Sequence, residues 1–149
     1  MALIQFYHLT TTPLEVALPK IMEKALATGE RVLVLVGDEQ SMDKLNDAFW
    51  TYNDRSFLPH GSSKNAYPEE QPIYITYAPE NPNKASILAV TDGSQLEELS
   101  DFSRVLDVFN GHDDAAVTAA RTRWKTYKDA GHELKYFQQN EQGGWKQAA

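Results

Sequence analysis

Residues 121–128 read Arg121-Thr122-Arg123-Trp124-Lys125-Thr126-Tyr127-Lys128 and carry four of the 14 Lys+Arg in a chain of 149 residues. The whole is acidic, with 21 Asp+Glu and a net charge of −7. Arg121, Lys125 and Lys128 follow i, i+4, i+7, which puts them on one side of a helix, and Arg123 adds a further charge. Val117, Ala120, Trp124 and Tyr127 form the adjacent stripe, the side expected against a sheet. Bases late in a helix often do no more than complement its dipole in solvent. Trp124 beside them points further: a cationic rim next to an apolar hollow suits a peptide with acids, an aromatic end and a free carboxylate.

Other chemistries fare worse. The chain has no cysteine, which excludes thiol catalysis, Cys-ligated metals and disulfides. His8, His60, His112 and His132 show no i, i+4 pair and no H-E-x-x-H, so no metal site is expected. No G-x-S-x-G is present. The turn Val36-Gly37-Asp38-Glu39-Gln40-Ser41 lacks a phosphate-binding glycine pattern, and it sets two carboxylates where phosphates need bare amides. Asp38 and Glu39 are expected to cap the next helix. An α/β enzyme binding a small molecule or nucleotide remains the alternative, with His60 and Asp38 as its participants. Direct single-stranded DNA binding through the basic helix and its aromatics is a second alternative. A purely structural subunit with its basic helix buried against a partner is a third. No cofactor is implied. An acidic body does not suit strong nucleic-acid binding. The N-terminus has no signal-peptide pattern, and the longest apolar run, Val32 to Val36, is too short for a membrane span. A soluble cytoplasmic protein is expected.

The elements that hold these residues follow from periodicity. Leu3 to Leu9 reads as a strand. Thr12 and Glu15 have capping-box spacing around Pro13, and Leu14, Leu18, Ile21, Met22, Ala25 and Leu26 continue a helix to Gly29. Pro19 is expected to kink that helix or mark its true start. Arg31 to Val36 reads as a strand buried on both faces, and Met42, Leu45, Ala48 and Phe49 as a second helix. Thr51 to Gln71 is a long turn-rich stretch. Ile73 to Tyr77, Ile87 to Val90 and Arg104 to Phe109 read as strands, with a short helical piece around Leu96 to Leu99. Ala115 to Lys128 is the strongest helix, ended by Gly131, and Leu134 to Gln138 reads as a last strand before a mobile or edge tail. Strands alternating with helices predict a single-domain α/β fold over residues 1–149. Its mostly parallel, Rossmann-like sheet has helices on both faces and no nucleotide-binding loop.

Several segments carry a resemblance. Phe6-Tyr7-His8-Leu9, Arg31-Val32-Leu33-Val34, Ser56-Phe57-Leu58-Pro59-His60-Gly61, Gln71-Pro72-Ile73, Asn81-Pro82-Asn83 and Asp107-Val108-Phe109-Asn110-Gly111 are the first of them. Ala119-Ala120-Arg121-Thr122-Arg123-Trp124-Lys125, Gly131-His132, Gln138-Gln139 and Gly144-Trp145 follow in order. Together they resemble the chi subunits of bacterial DNA polymerase III. The resemblance implies a non-catalytic accessory subunit of the replicative holoenzyme. It would grip the acidic C-terminal tail of single-stranded DNA-binding protein, a tail ending in Pro-Phe, and in part of the family pair with the psi subunit, which tethers it to the clamp loader. Carried over by position, Arg121 and Lys125 match bases that meet the tail's acids and carboxylate. Trp124 matches an aromatic beside them, Phe57 and Phe109 match apolar residues around the terminal Phe, and Trp50 resembles an aromatic of the psi contact.

Overall fold

The structure, a computed structural model, describes residues 2–51, 60–62, 68–78, 80–91, 99 and 101–148. Within them the order is β1 (Leu3–Leu9), α1 (Leu14–Leu26), β2 (Val32–Leu35), α2 (Glu39–Thr51), β3 (His60–Ser62), β4 (Ile73–Thr76), β5 (Ile87–Thr91), β6 (Arg104–Asn110), α3 (Asp114–Asp129), β7 (Glu133–Gln139) and β8 (Trp145–Gln147). They build one eight-stranded sheet in the order β3-β4-β2-β5-β6-β1-β7-β8. Every pairing is parallel except β7 with β8.

Strand alternation divides the core into two layers. Val32 and Val34 of β2 and Leu106 and Val108 of β6 face one side, where they meet Leu18, Ile21 and Met22 of α1 and Met42, Leu45 and Phe49 of α2. Leu33 and Leu35, Val105 and Phe109, and Ile4 and Phe6 of β1 face the other side, under Ala120 of α3. Both faces of the sheet are therefore covered, which explains the unbroken apolar run of β2. Each large aliphatic or aromatic side chain buried this way stabilises the fold by about 1.5–3 kcal/mol.

The structure revises some local expectations and specifies others. Pro13, not Thr12, occupies the N-cap of α1, and it makes no side-chain cap bond. Thr12 is engaged elsewhere: its hydroxyl accepts from Gln139 Nε2 at 2.8 Å. Helix α1 runs on through Pro19, which is buried; the missing N–H deprives only the Glu15 carbonyl of its helical donor. The stretch from Thr51 to Gln71 contains β3 and a 3-10 turn over Pro68–Glu70. The tail after Gln139 is an edge strand, β8, paired antiparallel to β7. Phe57, most of the turn-rich stretch and, apart from Leu99, the helical piece expected around Leu96 to Leu99 lie outside the described residues.

One buried amide fixes the chain where β1 ends. Gln139 is 5% exposed, and its Oε1 accepts from the backbone N–H groups of Thr10, Thr11 and Thr12 at 3.2, 2.9 and 3.1 Å. Those donors belong to a turn that has no ladder partner, so the side chain supplies what secondary structure does not.

Candidate functional site

Helix α3 owes its position to both ends and to one face. Asp113 caps it, accepting from Ala115 N at 2.9 Å and Ala116 N at 3.3 Å, while Asp114 and Lys128 match the dipole. Ala120 is buried, and Val117, Trp124 and Tyr127 are partly buried against the sheet, as the apolar stripe predicts.

Two flanks border that stripe. Arg121, Lys125 and Lys128 are all exposed on one of them. Arg123, two residues and so about 200° around the helix from Arg121, is on the other. There it is 6% exposed and grips Asp107 of β6 with two bonds, Nε to Oδ2 at 2.6 Å and Nη2 to Oδ1 at 2.9 Å. Asp107 is 1% exposed; burial raises its pKa and Arg123 opposes that rise. Arg123 thus leaves the basic stripe expected from sequence. It neutralises a carboxylate that has no other place in the core.

Trp124 joins the exposed flank to an aromatic cluster. Its ring stands edge-on to Phe6 at 5.5 Å and to Tyr136 at 5.9 Å. Phe6 also stacks on Tyr136 at 6.3 Å and meets Phe109 at 6.4 Å. Phe109 is 4% exposed, so it forms a floor and not a rim. Trp124, Tyr136 and His8 are half-buried and present the accessible aromatic surface. The positive charge of Arg121 acts on this surface: it counters the burial that raises the Tyr136 pKa, and it adds to the lowering of His8.

A crevice of about 790 Å³ opens on the opposite flank. It lies beyond the carboxyl ends of β1 and β6, neighbours whose following helices cover opposite faces of the sheet, which is where doubly wound folds bind ligands. Phe109, His112, Ala116, Ala119 and Arg123 line it, but Arg121 and Lys125 are not among its described walls. Of its charged walls, Lys44 pairs with Glu15 at 2.9 Å, Arg123 pairs with Asp107, and Asp113 caps α3.

The alternative enzyme centre is not assembled. Asp38 accepts from Ser41 N at 2.7 Å, and that bond, followed by the Ser41 side chain, lowers its pKa; it is a helix-capping carboxylate. His60 pairs through β4 with the first residue of β2, Val32. About 10 Å of strand then separates that level from Leu35, before the turn to Asp38. His60 is buried, with the rings of Phe49 and Trp50 at 5.3 and 4.9 Å. Trp50 itself is 58% exposed. Among the described residues no three His, Asp or Glu side chains are placed to hold a metal ion.

Sequence comparison places the chain. The family described as "DNA polymerase III chi subunit, HolC" matches residues 1–135. The chain belongs to the DNA polymerase III chi subunit family. The "Probable DNA polymerase III subunit chi" of Rickettsia prowazekii is 30% identical over 154 residues, covering 100% of this chain and 93% of the relative. The "DNA polymerase III subunit chi" of Escherichia coli is 29% identical over 108 residues, 72% of this chain and 73% of the relative. The protein of that name from Haemophilus influenzae is 26% identical over 134 residues, covering 87% and 92%. Among the described residues no helix is long and apolar enough to cross a membrane.

The expected site thus divides. Arg121, Lys125 and Trp124 share one surface, Phe109 lies beneath it, Trp50 is far along the chain on α2, and Phe57 is outside the described residues. His8 and Tyr136 were missed. Alternation could have found them, since His8 shares parity with Ile4 and Phe6, and Tyr136 with Leu134.

Proposed function

We propose that this chi-family chain is a non-catalytic adaptor that binds the acidic C-terminal tail of single-stranded DNA-binding protein on the exposed flank of α3. Arg121 and Lys125 meet the tail's acids and terminal carboxylate, and the terminal Phe rests against Trp124, with Phe109 beneath. Exposed Trp50 serves the psi subunit, which links the adaptor to the clamp loader. One observation carries the reading: two exposed cations, one helical turn apart, flank a half-buried Trp on an otherwise acidic molecule.

The energetics suit a reversible contact. Burying a terminal Phe contributes about 1.5–3 kcal/mol, and each charge-assisted hydrogen bond adds about 1.5–3 kcal/mol before ordering costs. Micromolar affinity, about −8 kcal/mol, is expected after those costs. The test is titration of a fluorescent peptide ending in Asp-Asp-Ile-Pro-Phe against wild type, Arg121→Ala and Lys125→Ala. Loss of about tenfold or more in each variant supports the site; equal binding by all three removes it. A peptide without its last Phe should bind far more weakly, and undiminished binding removes the aromatic contact.

A further inference from the structure

Beside Arg121, β1 and β7 bring together two polar rings. His8 Nδ1 lies 2.5 Å from the Tyr136 hydroxyl. The His8 ring also meets Phe109 at 5.1 Å, and Tyr136 meets Trp124 at 5.9 Å. Room for the imidazole comes from Gly111, where a Cβ would stand 2.1 Å from His8 Cδ2 and Nε2. The pair is therefore held in place on the surface that Arg121 and Trp124 border.

The chemistry of the pair depends on one proton. A neutral imidazole accepting at Nδ1 draws the Tyr136 O–H inward, and the phenol then presents only lone pairs outward. Protonated Nδ1 donates instead. The Tyr136 oxygen accepts from it, and its own O–H is released toward an incoming anion. The free protein favours the first state. Burial lowers the His8 pKa, a Gly111 backbone hydrogen bond opposes this, and the charges of His112 and Arg121 lower it further. These groups face the ring from the turn after β6 and from α3; Tyr136 faces it from β7, and Asp107 of β6 is held by Arg123. Among the described residues no carboxylate is one of the charges acting on His8. A carboxylate brought in by a ligand would reverse the balance.

Taking the α3 flank as the peptide site, we propose that His8 and Tyr136 form a proton-coupled contact for the peptide's terminal carboxylate. On docking, His8 takes one proton from solvent at Nδ1 and the Tyr136 hydroxyl turns outward to donate to the carboxylate. Affinity then rises as pH falls through the bound-state pKa of His8, and the gain is complete below its free-state pKa.

The experiment is anisotropy titration of the same labelled peptide at about pH 8 and about pH 6 with wild type, His8→Gln, Tyr136→Phe and His112→Asn. A bound-state pKa one unit above the free value tightens binding by up to about tenfold. Wild type and His112→Asn should tighten at least about threefold between the two conditions, and His8→Gln and Tyr136→Phe should stay flat. Tyr136→Phe removes only the hydroxyl, so thermal melting at wild-type temperature certifies its fold. Calorimetry in buffers of different ionisation enthalpy should show proton uptake by wild type and His112→Asn, and none by His8→Gln or Tyr136→Phe. A wild type without pH dependence, or an equal slope in the His8 and Tyr136 variants, overturns the proton-coupled contact while leaving the peptide site standing. No wild-type binding at either pH overturns the peptide site itself.

Discussion

Arg121 and Arg123 stand two residues apart on the same helix and have opposite fates. Arg121 projects from the exposed flank beside Trp124, where solvent screens it and a ligand can reach it. Arg123 is locked to Asp107 in the core, with both carboxylate oxygens engaged. The difference is set by the helical period and by what each flank faces: β6 offers a buried carboxylate to one, and the aromatic surface of β1 and β7 leaves the other open. Two like residues in one short segment thus split, one into the core and one onto the surface. Counting charges in a window does not separate them.

The largest effect should come from breaking the interior pair. Asp107→Asn or Arg123→Met leaves a desolvated partner and should lower unfolding free energy by about 3–5 kcal/mol in urea denaturation. The joint replacement Asp107→Leu with Arg123→Met should recover most of that loss, because a buried pair is often no more stable than apolar residues of similar volume. Arg121→Ala should change stability by no more than about 0.5 kcal/mol. If Arg121→Ala destabilised the fold as much as Arg123→Met, the division between the flanks would be wrong.

A middle-sized effect is expected at Gly111. Gly111→Ala places a Cβ 2.1 Å from the His8 ring and 2.5 Å from the Leu9 carbonyl. The ring can be displaced but backbone cannot, so this substitution should cost about 1–3 kcal/mol, read from the urea midpoint. It should also weaken peptide binding by disturbing His8 and Tyr136. The smallest effect sharpens the contrast by salt. Raising NaCl from about 0.05 to about 0.3 M should weaken the peptide contact several-fold, since Arg121 and Lys125 are exposed, and should barely alter the Arg123–Asp107 pair.

The legible part of this molecule was the part governed by periodicity. The continuous apolar run of β2 announced a strand covered on both faces, and the i, i+3, i+4 stripe of Val117, Ala120, Trp124 and Tyr127 named the buried side of α3. Arg121 and Lys125 were placed on one exposed flank by the same rule. What sequence did not show depended on partners distant along the chain. Arg123 was read with its neighbours because nothing local reveals that Asp107, sixteen residues earlier, is inside the core. Thr12 looked like a helix cap because Gln139, 127 residues later, is invisible to a local rule. β3 and β8 are three residues each, too short for alternation to declare them, and each exists only by pairing with an edge. The crevice at the ends of β1 and β6 is likewise a product of topology, since its walls come from segments scattered across the chain.

The most direct test of the adaptor account is a two-dimensional NMR titration of the isotope-labelled protein with the Asp-Asp-Ile-Pro-Phe peptide. Shifts should concentrate at the Arg121 and Lys125 amides, the Trp124 indole, and His8 and Tyr136. The Ser41, Lys44 and Ala116 amides, which line the crevice on the other flank of α3, should stay unmoved. Shifts confined to those crevice residues, with the Arg121 flank silent, would contradict it.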